Sequence, residues 1–406
     1  MPEPRPEVAD VFRQHGLQFL EAYGGGLSTE QRRALRDIAI CRTAALGGHK
    51  RKCDRCVCGH EEISYNSCRN RHCPKCQARS RAKWLKEQAA CLLPVEYFHV
   101  VVTLHEKLGP LALQNPRAIY SALFRAASDT LTTIARDPKH LGAEIGFHMV
   151  LHTWGQNLRL HPHVHCVVPG GGLSADRSRW IPCRKGFFLP VRVLSRLFRT
   201  KFLKLLQQLH ADGELTLAGR LASLADPREW ERFLRSLQET EWVVYSKPPF
   251  GSPLLVLKYL ARYTHRVAIS NGRLLALRDG SVTFSWKDYA HGGRQATMTL
   301  TAVEFIRRFL LHVLPSGFVR IRHYGFLANR NRAERIALLR QLLGPPASPE
   351  PATCESPPES KHDGDTFEDP ATCPVCKKGR LVVVATLLPQ PSPYDSYLNT
   401  PLRDTS

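Results

Sequence analysis

The chain has 406 residues, 43% of them hydrophobic and 23% charged, with a formal net charge of +21 and a pI near 9.7. This length and apolar content exclude a disordered chain and allow two or more domains. The charge favours phosphate-rich partners, nucleic acid above all, met quickly and in a salt-sensitive way.

Residues 7–22 read as a helix with Val8, Phe12, Leu17 and Phe19 as apolar positions, broken by Gly24-Gly25-Gly26. Ser28 and Gln31 form a capping box for a helix running to about Cys41. Residues 41–77 are dense in Cys, His, Gly and Arg, and too poor in large apolar side chains to fold without metal. A basic helix over 78–92 leads out of them. Residues 97–103, β-branched and aromatic, predict a strand. A helix over 116–137 follows, then strands over 146–154 and 163–168, ended by Pro169-Gly-Gly-Gly172. Helices are expected over 191–210 and 228–238, and a short strand over 242–245. A helix over 252–265 carries Tyr259 and Tyr263. Strands over 273–277 and 281–286 flank Asp279-Gly280, a hairpin turn signal. Another helix is expected over 301–312.

Residues 344–371, rich in Pro, Ser, Glu and Asp, read as a disordered linker. The tail beyond carries Cys373-Pro-Val-Cys376 and a strand-like run over 381–385. The chain has no long internal repeat. The expected fold class is α+β, an antiparallel sheet with flanking helices behind a small zinc-binding domain. The expected divisions are 1–92 (N-terminal helices and zinc module), 93–343 (catalytic domain), 344–371 (linker) and 372–406 (tail). No apolar run is long enough to cross a membrane, and Met-Pro-Glu-Pro-Arg-Pro is no signal peptide. Thirteen cysteines then point to metal ligation in a reducing cytoplasm rather than to disulfides.

Zinc takes four tetrahedral sulfur or nitrogen ligands, and a Cys-x2-Cys turn supplies two. Cys53/Cys56 and Cys73/Cys76 are such turns. One ion is expected on Cys41, His49, Cys53 and Cys56, and a second on Cys68, His72, Cys73 and Cys76. His60 or Cys58 could substitute, because adjacent His72 and Cys73 compete for one ion. Thiolate-rich closed sites are structural. Cys373/Cys376 is half a site, to be completed by Cys354 or His362, or degenerate. Arg51, Lys52, Arg55, Arg69, Arg71, Lys75, Arg79, Arg81 and Lys83 surround the ligands and suit DNA phosphates.

His163 and His165 flank Val164 in an apolar strand, where i and i+2 share a face and can hold one ion. Gln156 is the expected third ligand and His161, in phase with the pair, its rival. Such a set leaves positions open for a phosphate oxygen and suits a divalent cation acting as Lewis acid. Tyr259 and Tyr263, at i and i+4 of a helix, share a face. A phenol's pKa is near 10. Lys258, Arg262 and Arg266 could lower it, and His265 could take the proton. Metal-binding histidines and paired tyrosines are equipment for cutting and rejoining DNA through a phosphotyrosine. No phosphate-loop motif is present, which disfavours a coupled helicase.

These residues also carry a resemblance. The segments Ser64-Tyr-Asn-Ser-Cys-Arg-Asn-Arg-His-Cys-Pro-Lys-Cys-Gln77, His152-Thr-Trp-Gly-Gln-Asn157, His161-Pro-His-Val-His-Cys-Val-Val-Pro-Gly-Gly-Gly-Leu173, Tyr259-Leu-Ala-Arg-Tyr-Thr-His-Arg-Val-Ala-Ile269 and His312-Val-Leu-Pro-Ser-Gly-Phe-Val-Arg-Ile-Arg-His-Tyr-Gly325 closely resemble the two-tyrosine HUH transposases of the insertion sequence ninety-one family. The resemblance covers about residues 10 to 343. It implies rolling-circle-like transposition through single-stranded DNA, with structural Zn2+ in an N-terminal domain and Mg2+ or Mn2+ at a catalytic site of HUH type. Carried onto this chain, it makes His163 and His165 metal ligands, with Tyr259 and Tyr263 as nucleophiles. Gln156 as third ligand follows general HUH logic. The implied partners are single-stranded DNA at element ends and target, without a nucleotide cofactor or membrane, in the bacterial cytoplasm on the nucleoid. Plasmid replication initiators and relaxases share this chemistry. A non-enzymatic zinc-finger DNA-binding protein would explain the charge and cysteines but leave the histidines and tyrosines idle.

Overall fold

A computed structural model describes residues 5–247, 255, 268–288, 292–344 and 371–396, without the side chains of 78–83. In chain order the elements used below are α1 (Val8–Tyr23), α2 (Thr29–Ala39), β1 (Gly48–Cys53), β2 (Glu61–Tyr65), α3 (Pro74–Ala89), β3 (Tyr97–Thr103), α4 (Gly109–Gln114), α5 (Pro116–Arg136), β4 (Phe147–Trp154), β5 (Leu160–Pro169), β6 (Gly171–Leu173), β7 (Trp180–Pro182), α6 (Val191–Ala211), α7 (Pro227–Gln238) and β8 (Val244–Lys247). They continue with β9 (Leu274–Arg278), β10 (Ser281–Asp288), β11 (Arg294–Thr301), α8 (Ala302–Leu310), β12 (Ile321–Tyr324), α9 (Arg332–Leu343) and β13 (Leu381–Leu387). Helices and antiparallel sheets mix along the chain, as an α+β fold requires.

Local chemistry sets many boundaries. Ser28 and Gln31 close the capping box of α2 reciprocally. Asp226 caps α7 by accepting from the N–H groups of Arg228 and Glu229. Asp279 and Gly280 both take positive φ (50° and 69°), the requirement of a tight turn whose twist suits the hairpin joining β9 to β10.

The central sheet has the order β12-β4-β5-β3-β8, with every neighbouring pair antiparallel. Alternation gives it two unlike faces. Phe98, Val100 and Val102 of β3, Val164, Cys166 and Val168 of β5, and Phe147, Met149 and Leu151 of β4 join one core with Leu123, Phe124 and Leu131 of α5 and Phe198, Phe202 and Leu206 of α6. The register puts His99, His148, His152, His163, His165 and His323 on the other face. One face therefore anchors the sheet and the other gathers six histidines.

A second core joins Val8, Phe12, Leu35 and Ile38 of α1 and α2 to Phe284 of β10 and Phe305 and Phe309 of α8. Phe12 meets Phe309 edge-on, with ring centroids 5.2 Å apart. The packing thus crosses the division expected at 92/93: the N-terminal helices share a core with residues 268–310.

Several strands fall outside the expected ones, β11 and β12 among them, and β8 is displaced. β11 pairs along all of β10, and β12 edges the central sheet beside β4. Both are rich in polar residues, so their pairing rather than their hydrophobicity defines them. The strand expected over 242–245 begins two residues later, because the Trp242 ring is drawn into the core against Phe198 and Phe202 and its indole N–H donates to Leu237 O (3.0 Å). Among the described residues no helix is long and apolar enough to cross a membrane. Apart from Leu255, the tyrosine helix expected over 252–265 lies outside the described residues, as does most of the linker expected over 344–371.

Candidate metal centres

Cys41 follows α2, Cys68 follows β2, Cys73 caps α3 and Cys76 sits in its first turn. Their four sulfur atoms lie within 4.8 Å of one another. Cys41–Cys76 and Cys68–Cys76 are 3.6 Å apart, and Cys41–Cys73 is 3.7 Å. These distances are too long for disulfides, which bond at about 2.05 Å. They match the edge of a tetrahedron of sulfurs around zinc, about 3.8 Å for Zn–S bonds of about 2.3 Å. Contacts with Cys41 and Cys68 hold the Cys76 thiol well below its ordinary range, while Cys41 and Cys73 push Cys68 far above it. Four thiols this close cannot all ionise unless a cation balances them. The cluster is suited to a structural zinc, and the start of α3 adds a favourable dipole.

This grouping differs from the pairing expected from spacing. Cys41 joins the Cys73/Cys76 turn in place of His72. Both His72 nitrogens have other work: Nδ1 bonds Asn70 Oδ1 (3.1 Å) and Nε2 accepts from the Leu314 N–H (3.1 Å). Burial holds that ring neutral, its pKa pushed down to about 3. Cys53 groups with Cys58 and with two tail cysteines, while Cys56 is exposed and His49 lies in β1 outside both clusters. Of the basic residues named for DNA, Arg69 is exposed, Arg71 donates to Phe318 O (2.8 Å) and Lys75 pairs with Glu7 (2.8 Å). Lys258, Arg262 and Arg266 lie outside the described residues, as do Tyr259 and Tyr263.

The histidine face of the central sheet holds the third cluster. His163 and His165 share a face of β5, and His152 of β4 stands directly across from His163. His163 Nε2 and His165 Nε2 are 3.0 Å apart, and His165 Nε2 and His152 Nδ1 are also 3.0 Å apart. Imidazole nitrogens at about 2.1 Å from one ion and at right angles would be about 3.0 Å apart, so the set fits a single ion. His163 Nδ1–H donates to His161 O (2.6 Å), leaving Nε2 as a lone pair. With His165 Nε2 turned to the cluster, its Nδ1–H donates to His99 Nε2 (2.8 Å). Such outer hydrogen bonds fix tautomer and ring orientation at metal sites. Burial holds His163 down to about 4 and His165 well below the usual histidine range, the neutral form a ligand needs.

The third imidazole is His152, where the sequence suggested Gln156 or His161. Gln156 lies in the turn between β4 and β5, and its backbone carbonyl accepts from Arg273 (2.6 Å). The His161 side chain is exposed. What hid His152 was the hairpin's register: Trp154 pairs with Leu160, and a one-residue slip beyond that pair sets position 152 against 163. His312, at the end of α8, holds that hairpin by accepting from Thr153 Oγ1 (3.2 Å) and donating to Leu158 O (3.1 Å).

Acid sensitivity follows. Burial pushes His148 down to about 3, and His312 and His323 down to about 4, against about 6.5 unfolded. The folded state then binds fewer protons than the unfolded one below pH 6.5. The stability is whole above that pH and is lost as pH falls toward 4, on the order of 1–2 kcal/mol per ring at pH 5. Thermal unfolding between pH 7.5 and 5 should reveal a steep fall in Tm that is shallower in His312→Asn; a flat profile would contradict the assignment of neutral buried rings.

The chain is similar to known proteins. Residues 146–335 match the family model described as "Putative transposase", and residues 11–104 the one described as "Transposase zinc-binding domain". The chain is 54% identical, over 93% of its length and 95% of the relative's, to "Putative transposase y4qJ" of Sinorhizobium fredii. It is 30% identical, over 80% of its length and 77% of the relative's, to "Transposase for insertion sequence element IS801" of Pseudomonas savastanoi pv. phaseolicola. No solved structure matches it. The matches and the cysteine clusters define a DNA-processing transposase with a structural zinc module. Within that class, the chain belongs to the insertion sequence ninety-one family.

Proposed function

We propose that this transposase nicks and rejoins single-stranded DNA at the ends of its element through 5′-phosphotyrosine intermediates, as rolling-circle-like transposition requires. The observation that carries the reading is the convergence of the buried rings of His152, His163 and His165 on one point of a sheet face. These three imidazoles would hold a divalent cation, Mg2+ or Mn2+, which when bound supplies Lewis-acid polarisation of the scissile phosphate. His99 acts as a positioning residue by fixing the His165 ring.

The nucleophiles in this proposal are Tyr259 and Tyr263. One phenol loses its proton, to His265 on our reading, and its oxygen attacks phosphorus. The bond to the 3′ oxygen breaks, and that oxygen leaves protonated as a free 3′-hydroxyl. Rejoining runs in reverse: a 3′-hydroxyl attacks the phosphotyrosine and returns the phenol. The phosphodiester energy is conserved throughout, so no nucleotide cofactor is needed. A second phenol allows a second strand to be cut while the first remains attached. Lys258, Arg262, Arg266 and Arg69 would bind strand phosphates. Arg71 and Lys75, engaged with Phe318 and Glu7, would contribute to the local positive field.

In Tyr259→Phe combined with Tyr263→Phe, covalent adducts with a single-stranded element end are expected to vanish while DNA affinity stays within about twofold. Adducts persisting in that double variant would refute the nucleophile assignment.

A further inference from the structure

The zinc-binding match ends at residue 104, yet one of the two four-cysteine clusters is closed by residues far beyond it. Cys53 ends β1 and Cys58 lies in the turn after it, while Cys373 and Cys376 come from the segment leading into β13. The four sulfur atoms lie within 4.8 Å of one another. Cys53–Cys376 and Cys58–Cys373 are each 3.7 Å apart, again too long for a disulfide and close to the tetrahedral edge expected around zinc. We propose that Cys53, Cys58, Cys373 and Cys376 bind a second structural zinc ion, which fastens the C-terminal segment to the N-terminal module.

The backbone around the tail cysteines is shaped for this. Lys377 takes a positive φ of 52° and donates its N–H to Cys373 O (2.9 Å), so the chain turns back on itself after the first thiol. The Gly379 N–H then donates to Cys376 Sγ (3.2 Å), a bond that stabilises a thiolate. A side chain at Gly379 would collide with Cys53 Sγ and come within 2.8 Å of Asp54 Oδ1 and 2.9 Å of Arg55 Cγ. On the other half of the site, Cys53 N–H donates to His60 O (2.9 Å) and Cys58 N–H to Arg55 O (3.0 Å), which folds the intervening loop.

The energetics point the same way. Apolar packing here amounts to Cys53, Cys373 and Leu381, with Cys58 and Cys376 beside them. Val382, Val383 and Val384 of β13 are 45%, 57% and 51% exposed, so burial contributes little to holding this strand. β13 nonetheless pairs along β1 from Gly48–Leu387 to Cys53–Leu381. A site that lacks a core of its own needs another source of order, and a metal supplies it. Farther along, the Tyr394 hydroxyl donates to Phe12 O (2.7 Å), and Asp395 pairs with Arg36 (3.0 Å). The tail therefore runs from the second cluster back to α1 and α2. The ion joins parts of the chain some 320 positions apart.

Metal content of the full-length protein tests this. Zinc measured by mass spectrometry should fall by one equivalent in Cys373→Ser with Cys376→Ser and in Cys58→Ser, and stay unchanged in Cys56→Ser. Amide exchange over 381–387 should speed up at least tenfold in the double variant, with α5 unaffected. Co2+ titrated into the zinc-free wild type should develop sulfur-to-metal absorption to two equivalents, a readout independent of whether any variant folds. Saturation of that absorption at one equivalent, an unchanged zinc content in the double variant, or loss of zinc in Cys56→Ser would overturn the proposal.

Discussion

His163→Ala and His165→Ala are each expected to lower single-strand cleavage at least about a thousandfold, the scale on which polarisation worth several kcal/mol is lost. The two rings supply neutral nitrogens 3.0 Å apart in a buried setting, and among the described residues no other side chain joins them and His152 in the cluster. His99→Ala should behave differently. It removes the partner of His165 Nδ1 rather than a ligand nitrogen, so Mn2+ affinity should fall about 10–100-fold and cleavage should recover at high Mn2+. Calorimetric Mn2+ binding separates the cases. Full Mn2+ affinity in His163→Ala would remove that ring from the site.

Cys41→Ser and Cys73→Ser carry the second large effect. Each is expected to lose one zinc and to destabilise the N-terminal module by several kcal/mol, since a structural zinc contributes about 10–16 kcal/mol to folding in zinc-finger peptides. The effect should spread, because both cysteines lie in the core shared by α1, α2 and α8. His72→Ala provides the contrast: zinc stays, but the buried Leu314 N–H loses its acceptor, at about 1–3 kcal/mol. Zinc content and chemical denaturation of the three variants distinguish them. Loss of zinc in His72→Ala with retention in Cys41→Ser would restore the pairing that spacing alone suggested.

Local and periodic features were the legible ones. The capping box of α2, the Asp279-Gly280 turn and the β-branched run of β3 each act over a few residues, and each appears where its chemistry demands. β11 and β12 were hidden because polar strands at sheet edges take their identity from a partner. Distance in sequence was the obstacle for the metal clusters. Cys73-x2-Cys76 announces half a site, but nothing in its spacing says that Cys41 rather than His72 completes it. Only the fold reveals that His72 bridges Asn70 and Leu314. Cys373 and Cys376 read as half a site, to be completed by Cys354 or His362 or else degenerate, because the cysteines they group with, Cys53 and Cys58, lie some 300 positions earlier. His152 was hidden as well: counted from the turn, the Trp154–Leu160 pair would set position 152 against 162, and only a one-residue slip beyond that pair brings it to 163.

The account depends on the three imidazoles and the two tyrosines serving one phosphate. The most direct measurement is peptide mapping of the covalent DNA–protein adduct formed with a single-stranded element end in Mn2+. The account predicts the DNA 5′-phosphate on Tyr259 or Tyr263, with adduct abolished by chelation that spares the zinc and absent from His163→Ala. An adduct on any other residue, or one formed equally well without the divalent ion, would contradict it.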